Sequence, residues 1–120
     1  MCVLHDNKEG MSQKARRQLS YEIIEYKQLL KGLKIKLNDL TSSCPKNADT
    51  RQNAIKVAKL ISENTFLSNY IKEMKKPPLK ELKKLPIVHH KTIKKHRKYI
   101  IAISIIYIME FTYIKKYMNH

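Results

Sequence analysis

One junction in the sequence constrains the fold more than any other feature. The stretch KTIKKHRKYIIAISIIYIM is mostly cationic over residues 91–98 and uncharged over residues 99–109, with neither Gly nor Pro between the two parts. Two structures would join such halves directly: a basic membrane anchor, or a DNA-reading helix whose second half is buried. The uncharged part is only eleven residues long and ends at Glu110. Because a transmembrane helix needs about 20 apolar residues, we favour the buried helix.

Helical geometry divides the basic half into two faces. At about 100° per residue, one face is a ridge of exposed lysines, namely Lys91, Lys94, Lys95 and Lys98. The opposite face is expected to lean toward the core and carries Ile93, His96, Arg97 and Ile100. The uncharged half is apolar all round, which predicts that other helices surround it.

The remaining apolar segments also repeat with a helical period, which predicts an all-α fold of about six helices. Residues Leu19, Ile23, Tyr26 and Leu30 define one apolar face, and Ala54, Ile55, Ala58 and Ile61 define another. The first long helix is predicted to begin at Ser12 and to stop at Gly32. Asp49 is the expected N-cap of the helix that follows Cys44-Pro45, because Gln52 completes a capping-box pattern.

The C-terminal part has the spacing of a helix-turn-helix. The segment PLKELKKL predicts a helix of about two turns with Leu79 and Leu82 inward, Pro86 ends it, and a new helix begins near His89 or His90. We therefore expect a flexible N-terminus over residues 1–11, an N-terminal helical lobe over 12–48 and a helix-turn-helix lobe over 49–120. The two lobes are expected to form one compact unit.

The charge indicates a polyanionic partner. The chain of 120 residues has 25 Lys and Arg against 10 Asp and Glu, a formal net charge of +15. The segment 72–98 contributes eleven basic residues and two acids, which is +9 of that excess. Such a concentration favours binding to nucleic acid or to an anionic membrane surface.

Several classes of chemistry are not expected. The two glycines are isolated, so no phosphate-binding loop is predicted. His89, His90 and His96 lack the spacing of a metal site, because adjacent residues cannot share one helix face. Cys2 and Cys44 are read as inert thiols in a reducing, cytoplasmic setting. Neither enzymatic activity, a cofactor, a resident metal nor a small-molecule substrate is therefore expected.

The C-terminal sequence resembles the C-terminal region of sigma-I (SigI) type sigma factors of RNA polymerase. The most specific part is KTIKKHRKYIIAI, in which the matching positions are Lys91, Thr92, Ile93, Arg97, Lys98, Tyr99 and residues 100–102. The upstream segments DTRQNAIKVAKLI and YEIIEYKQLL are similar to earlier helices of the family. The resemblance implies a region-four-like module that reads the upstream (minus-thirty-five) promoter element while docked on RNA polymerase.

The resemblance also implies partners and site residues. The partners are promoter DNA, the RNA polymerase core and the cytosolic N-terminal domain of a membrane-anchored, RsgI-like anti-sigma factor. The expected DNA-binding residues are His89, His90, Lys91, Thr92, Lys94, Lys95, Arg97 and Lys98. The family usually has Ser-Arg in place of His89-His90, and Gly-Asp-Phe-Pro-Tyr where this chain has Met109–Tyr113.

Two alternatives remain open from the sequence. The chain could be a stand-alone helix-turn-helix regulator of another family, or a basic amphipathic protein that binds a membrane surface or a helical partner. A promoter-melting region rich in aromatic residues is not visible in the sequence. The chain is thus read either as the C-terminal region of a longer sigma factor or as a truncated natural product.

Overall fold

The computed structural model describes residues 11–74 and 78–116. Seven α-helices occur in this part of the chain: α1 (Gln13–Gly32), α2 (Leu37–Ser43), α3 (Ala48–Glu63), α4 (Thr65–Met74), α5 (Leu79–Leu82), α6 (His90–Ile108) and α7 (Thr112–Lys116). A 3-10 turn, Ile87–His89, separates α5 from α6. The described residues contain no strand, which confirms the all-α fold class. The helices number seven rather than about six.

The second half of α6 is the centre of the core, as the uncharged sequence predicted. Every residue from 99 to 106 is buried, and Ile100 is only 1% exposed. Helix α3 packs along α6, and the predicted apolar face of α3 is fully covered. Because small residues such as Ala54 and Ala58 lie on that face, the two helices can pack closely along their length.

Helix α1 begins where the sequence predicts, and its last residue is Gly32, the predicted stop. The Oγ of Ser12 accepts a hydrogen bond from the backbone N–H of Ala15 at 3.0 Å, which caps the helix. Gly32 is still helical, and Lys34 instead takes the left-handed conformation with φ 61°. The N–H of Ile35 then donates to the carbonyl of Leu30 at 2.9 Å, the bond that closes a Schellman motif. The helix therefore ends at Gly32, but Lys34 rather than the glycine occupies the left-handed position.

Helix α6 ends in the same way. Glu110 has φ 54°, and the N–H of Phe111 donates to the carbonyl of Ile106 at 3.1 Å. Phe111 is buried beside the core, so its apolar contact sets the end of the helix although no glycine is present.

The N-cap of α3 is Asn47, so the prediction of Asp49 is wrong. The Oδ1 of Asn47 accepts from the N–H of Asp49 at 2.8 Å and from that of Thr50 at 3.4 Å. Asp49 lies inside the first turn, where a negative charge still favours the helix dipole.

Two long-range hydrogen bonds attach α1 to the C-terminal helices. The hydroxyl of Tyr26, which is fully buried, donates to the carbonyl of Ala102 in α6 at 2.8 Å. The carboxylate of Glu22 accepts from the N–H groups of Tyr113 and Ile114 at 3.2 and 2.9 Å. Because these N–H groups belong to the first turn of α7, Glu22 caps a helix that is distant in sequence.

The region before α6 differs in length from its prediction. Helix α5 has four residues, about one turn rather than two. Leu82 is buried as expected, and α6 begins at His90, as predicted. The side chain of Leu79, like residues 1–10, lies outside the part of the chain that the structure describes, and Met11 is buried against the core.

Two further features bear on the expected setting of the chain. Cys44 is buried and its sulfur is part of a disulfide bond, so the expectation of an inert free thiol is wrong for this residue. No helix in the described part of the chain is long and apolar enough to cross a membrane.

Candidate nucleic-acid interface

The first part of α6 presents a surface of lysines to solvent. This surface, called the basic surface below, consists of Lys91, Lys94, Lys95 and Lys98, all of which are exposed. The first three form no ion pair with any other described residue. Their ammonium groups are therefore available to an anionic partner.

The basic part of α6 meets the buried part at a bend. His96 has φ −124° and ψ 31°, which lie outside the helical range. Its side chain is only 8% exposed, and Nδ1 lies 2.9 Å from the carbonyl oxygen of Ser43 at the end of α2. A carbonyl oxygen only accepts, so Nδ1 must carry the proton. Together with the burial of Ile93, this bond holds the basic surface in a fixed orientation on the core.

Lys98 is tied to α2 by an ion pair. Its Nζ lies 3.4 Å from Oδ2 of Asp39. The backbone N–H of Lys36 donates to the same oxygen at 3.0 Å and, with the nearby charge of Lys98, lowers the pKa of the Asp39 carboxyl. Because Lys98 already has a carboxylate partner, we expect it to neutralise a bound phosphate less fully than Lys94 or Lys95 does.

The two histidines at the start of α6 are less accessible than the lysines. His89 and His90 are both half-buried. His90 Nε2 lies 2.6 Å from the carbonyl oxygen of Leu85, so this nitrogen must donate its proton to the backbone. His89 occupies the N-cap position but makes no capping hydrogen bond with its side chain. The side chain of His90 thus holds the turn between α5 and α6.

Arg97 points away from the core, contrary to the expected inward lean. Its side chain is exposed and lines a groove between α5 and α6 with a volume of about 440 Å³. The other residues that line this groove are Leu82, Lys83, His90, Ile93 and Lys94. The bend at His96 changes the direction of the helix just before Arg97, which is why a uniform step of 100° misplaced this residue.

The structure also shows surface residues that the sequence reading did not single out. Lys83 lines the groove, and the 3-10 turn exposes Ile87 and Val88, which are 84% and 78% accessible. Two apolar residues that follow Pro86 and precede a helix N-cap were the only available signal for this exposed turn. Of the remaining predicted site residues, Thr92 is half-buried on the first turns of α6.

The chemistry available at this surface is the binding of anions. Lysine and arginine side chains donate hydrogen bonds and neutralise phosphates. The described residues contain no group of three or more His, Cys, Asp or Glu side chains that could hold a metal ion. The arrangement suits a polyanion that contacts several exposed cations along one helix.

Comparison with known proteins identifies RNA polymerase sigma factors as relatives of this chain. The chain is 36% identical over 116 residues to the RNA polymerase sigma factor SigI of Bacillus subtilis, covering 97% of this chain and 45% of the relative. It is 36% identical over 98 residues to SigI of Bacillus anthracis, covering 82% and 41%. With the sigma factor SigI4 of Acetivibrio thermocellus it shares 42% identity over 85 residues, 71% of this chain and 31% of the relative.

These matches cover most of this chain but only part of each relative. The chain spans less than half of the length of each of these relatives. No protein-family model matches the sequence.

Proposed function

Because the chain is homologous to SigI-type RNA polymerase sigma factors over most of its length, we propose that it recognises promoter DNA. In this proposal the first part of α6 enters the major groove at the upstream (minus-thirty-five) element and directs RNA polymerase to its promoters. Sigma factors are not enzymes, and the proposed role requires binding alone.

The exposed basic surface is the observation that supports this function best. A recognition helix must present polar side chains to the groove while the rest of the helix is fixed to its domain. Here Lys91, Lys94 and Lys95 project from the half of α6 that precedes the bend. The other half is buried among α1, α2 and α3, so the presented half has a rigid support.

The side chains divide into two proposed roles. Contacts with phosphates position a protein on DNA, and contacts with base edges specify the sequence. We assign Lys94, Lys95 and Arg97 to phosphates because they lie beyond the first turn of the helix. The first-turn residues His89, Lys91 and Thr92 lie where a recognition helix approaches base edges. Lys98 is also assigned to phosphate contacts, with a smaller contribution than Lys94 or Lys95. His90 supports the turn between α5 and α6.

The proposed partners follow from the family. RNA polymerase core would carry the chain to DNA, and an anti-sigma factor of the RsgI type would bind the chain when promoters are to be silent. Both DNA and polymerase are in the cytoplasm, which is the proposed location. The hydrogen bonds that Glu22 accepts from α7 and that Tyr26 donates to α6 support the proposal that residues 12–48 and 49–120 act as one unit.

Footprinting on promoter DNA, with and without RNA polymerase core, tests this function. We expect the chain and the polymerase together to protect the upstream element, and simultaneous Lys91→Ala and Lys94→Ala changes to abolish that protection. The matched control is a Lys56→Ala change, because Lys56 is an exposed lysine of α3 rather than of α6. Protection by the chain alone that polymerase does not alter would instead indicate a stand-alone regulator. Absence of protection in both conditions would contradict the proposal.

A further inference from the structure

We propose that the groove between α5 and α6 binds an acidic peptide segment that inserts an apolar side chain. The groove has an apolar floor formed by Leu82 and Ile93, which are 3% and 8% exposed. Its volume of about 440 Å³ lies within the size range of pockets that hold ligands. A floor of this kind gains free energy when an apolar side chain displaces water from it.

The rim of the groove specifies the charge of the ligand. Lys83, Lys94 and Arg97 surround the floor, and none of the described residues that line it is acidic. The nearby Glu81 is engaged by Lys84 at 3.0 Å, outside the groove. Carboxylates placed on either side of an inserted apolar residue would therefore meet three uncompensated cations.

The shape of the groove favours a peptide over the DNA backbone. A sugar-phosphate backbone supplies anionic groups, but it has no apolar side chain that could reach a concave floor. A peptide supplies both components in one short segment. His90 forms one wall of the groove, and its hydrogen bond to the carbonyl of Leu85 keeps that wall in place without a ligand.

Such a peptide would control the proposed DNA-binding function. Lys94 belongs both to the rim of the groove and to the basic surface. A bound acidic segment would neutralise Lys94 and Arg97 and cover the helix from one side. Peptide and DNA should therefore exclude each other. This competition rests on the proposed function, whereas binding of the peptide itself does not.

Selection from a displayed library of random short peptides tests the groove directly. Peptides enriched on the folded protein should combine Leu, Ile, Met or Phe with flanking Asp or Glu residues. Changing that apolar residue to Ala should abolish binding. A protein with Lys83→Glu and Arg97→Glu should bind the peptides about tenfold more weakly, which corresponds to about 1.4 kcal/mol. The matched charge reversal Lys56→Glu should leave binding unchanged.

The unmodified protein supplies the second measurement. Methyl NMR signals of Leu82 and Ile93 should shift when the enriched peptide is added, and a DNA duplex should displace the peptide. Enrichment of uncharged or basic peptides, no enrichment, or unshifted signals of both residues would overturn the proposal. If the peptide binds and DNA does not, the groove stands and the proposed function fails. If DNA binds and the peptide does not, the proposed function stands and the peptide-binding groove fails.

Discussion

Lys34 and Glu110 hold the left-handed backbone position at the ends of two helices. A side chain with a Cβ atom in this conformation costs about 1 kcal/mol relative to glycine. Each residue tolerates that cost because the following apolar residue, Ile35 or Phe111, is buried. These two positions are therefore local sites of backbone strain in an otherwise regular helical protein.

Replacing either residue with glycine should stabilise the protein. We expect Lys34→Gly and Glu110→Gly each to raise the free energy of unfolding by about 0.5–1 kcal/mol, since part of the gain is offset by the flexibility of glycine in the unfolded chain. Urea denaturation measures the change. The control Lys56→Gly, in the middle of α3, should lower stability by about 1 kcal/mol. Equal losses in all three variants would show that the strain is absent.

Asp39 should make stability depend on pH in acid. Its pKa is lowered in the folded protein by the N–H of Lys36 and by Lys98. Its contribution is therefore fully present above the unfolded value of about 3.9 and is lost as pH falls through the lower folded pKa. Compared with an Asp39→Asn variant, the wild type should lose stability more steeply below about pH 4. Parallel curves for the two proteins in acid denaturation would contradict the assignment.

At the scale of helices, burial separates the two faces of α6. Ile100→Ala should lower the free energy of unfolding by about 2–5 kcal/mol, because it removes buried methyl groups and leaves a cavity. Lys94→Ala should change it by less than about 0.5 kcal/mol, because the side chain is exposed. Denaturant titration of both variants measures the contrast, and the opposite order would mean that the helix is rotated about its axis.

The capping of α7 by Glu22 connects the two ends of the described chain. Glu22→Ala leaves two helix N–H groups without their acceptor, so we expect a loss of about 1–2 kcal/mol. The matched control is Glu25, which is exposed and lies on the next turn of α1. Its change to Ala should cost less than about 0.5 kcal/mol. Hydrogen exchange at Ile114 should accelerate in the first variant alone. Unchanged exchange there would remove Glu22 from this role.

The presence of the long helices and the face that each buries were predictable, because the apolar period fixes which face is buried. The faces of α1 and α3 follow from that period, and the burial of the second half of α6 follows from its being apolar all round. Helix ends were not predictable in the same way. Asn47 and Asp49 are both competent caps, and the capping-box pattern with Gln52 favoured the wrong one. At the end of α1 the N–H of Ile35 donates to the carbonyl of Leu30 and the Ile35 side chain is buried, and this burial outweighs the preference for glycine at Lys34.

The candidate site was predictable in its charge and less so in its geometry. Exposure of Lys91, Lys94 and Lys95 follows from the helical period. The pairing of Lys98 with Asp39 joins residues that are 59 positions apart, which no local pattern reveals. The exposed position of Arg97 depends on the bend at His96, and the bend is accompanied by a hydrogen bond to Ser43.

At the scale of the whole molecule, the net charge of +15 attracts any polyanion at low salt. Long-range attraction alone would not depend on which lysine is removed. The proposed interface makes a narrower claim, because it assigns the contacts to one half of one helix. Distinguishing the two requires the salt dependence of binding in variants that differ by one charge at different places.

Titration of the protein with promoter duplexes across a salt series is the most direct test of the proposed interface. If about four phosphates are neutralised, log K should fall with log salt at a slope of about −3.6. Lys95→Ala should weaken binding to cognate and scrambled duplexes alike and flatten the slope by about one unit. Lys56→Ala should leave the slope unchanged. If Lys95→Ala and Lys56→Ala reduce the slope equally, the basic surface of α6 is not the site where DNA binds.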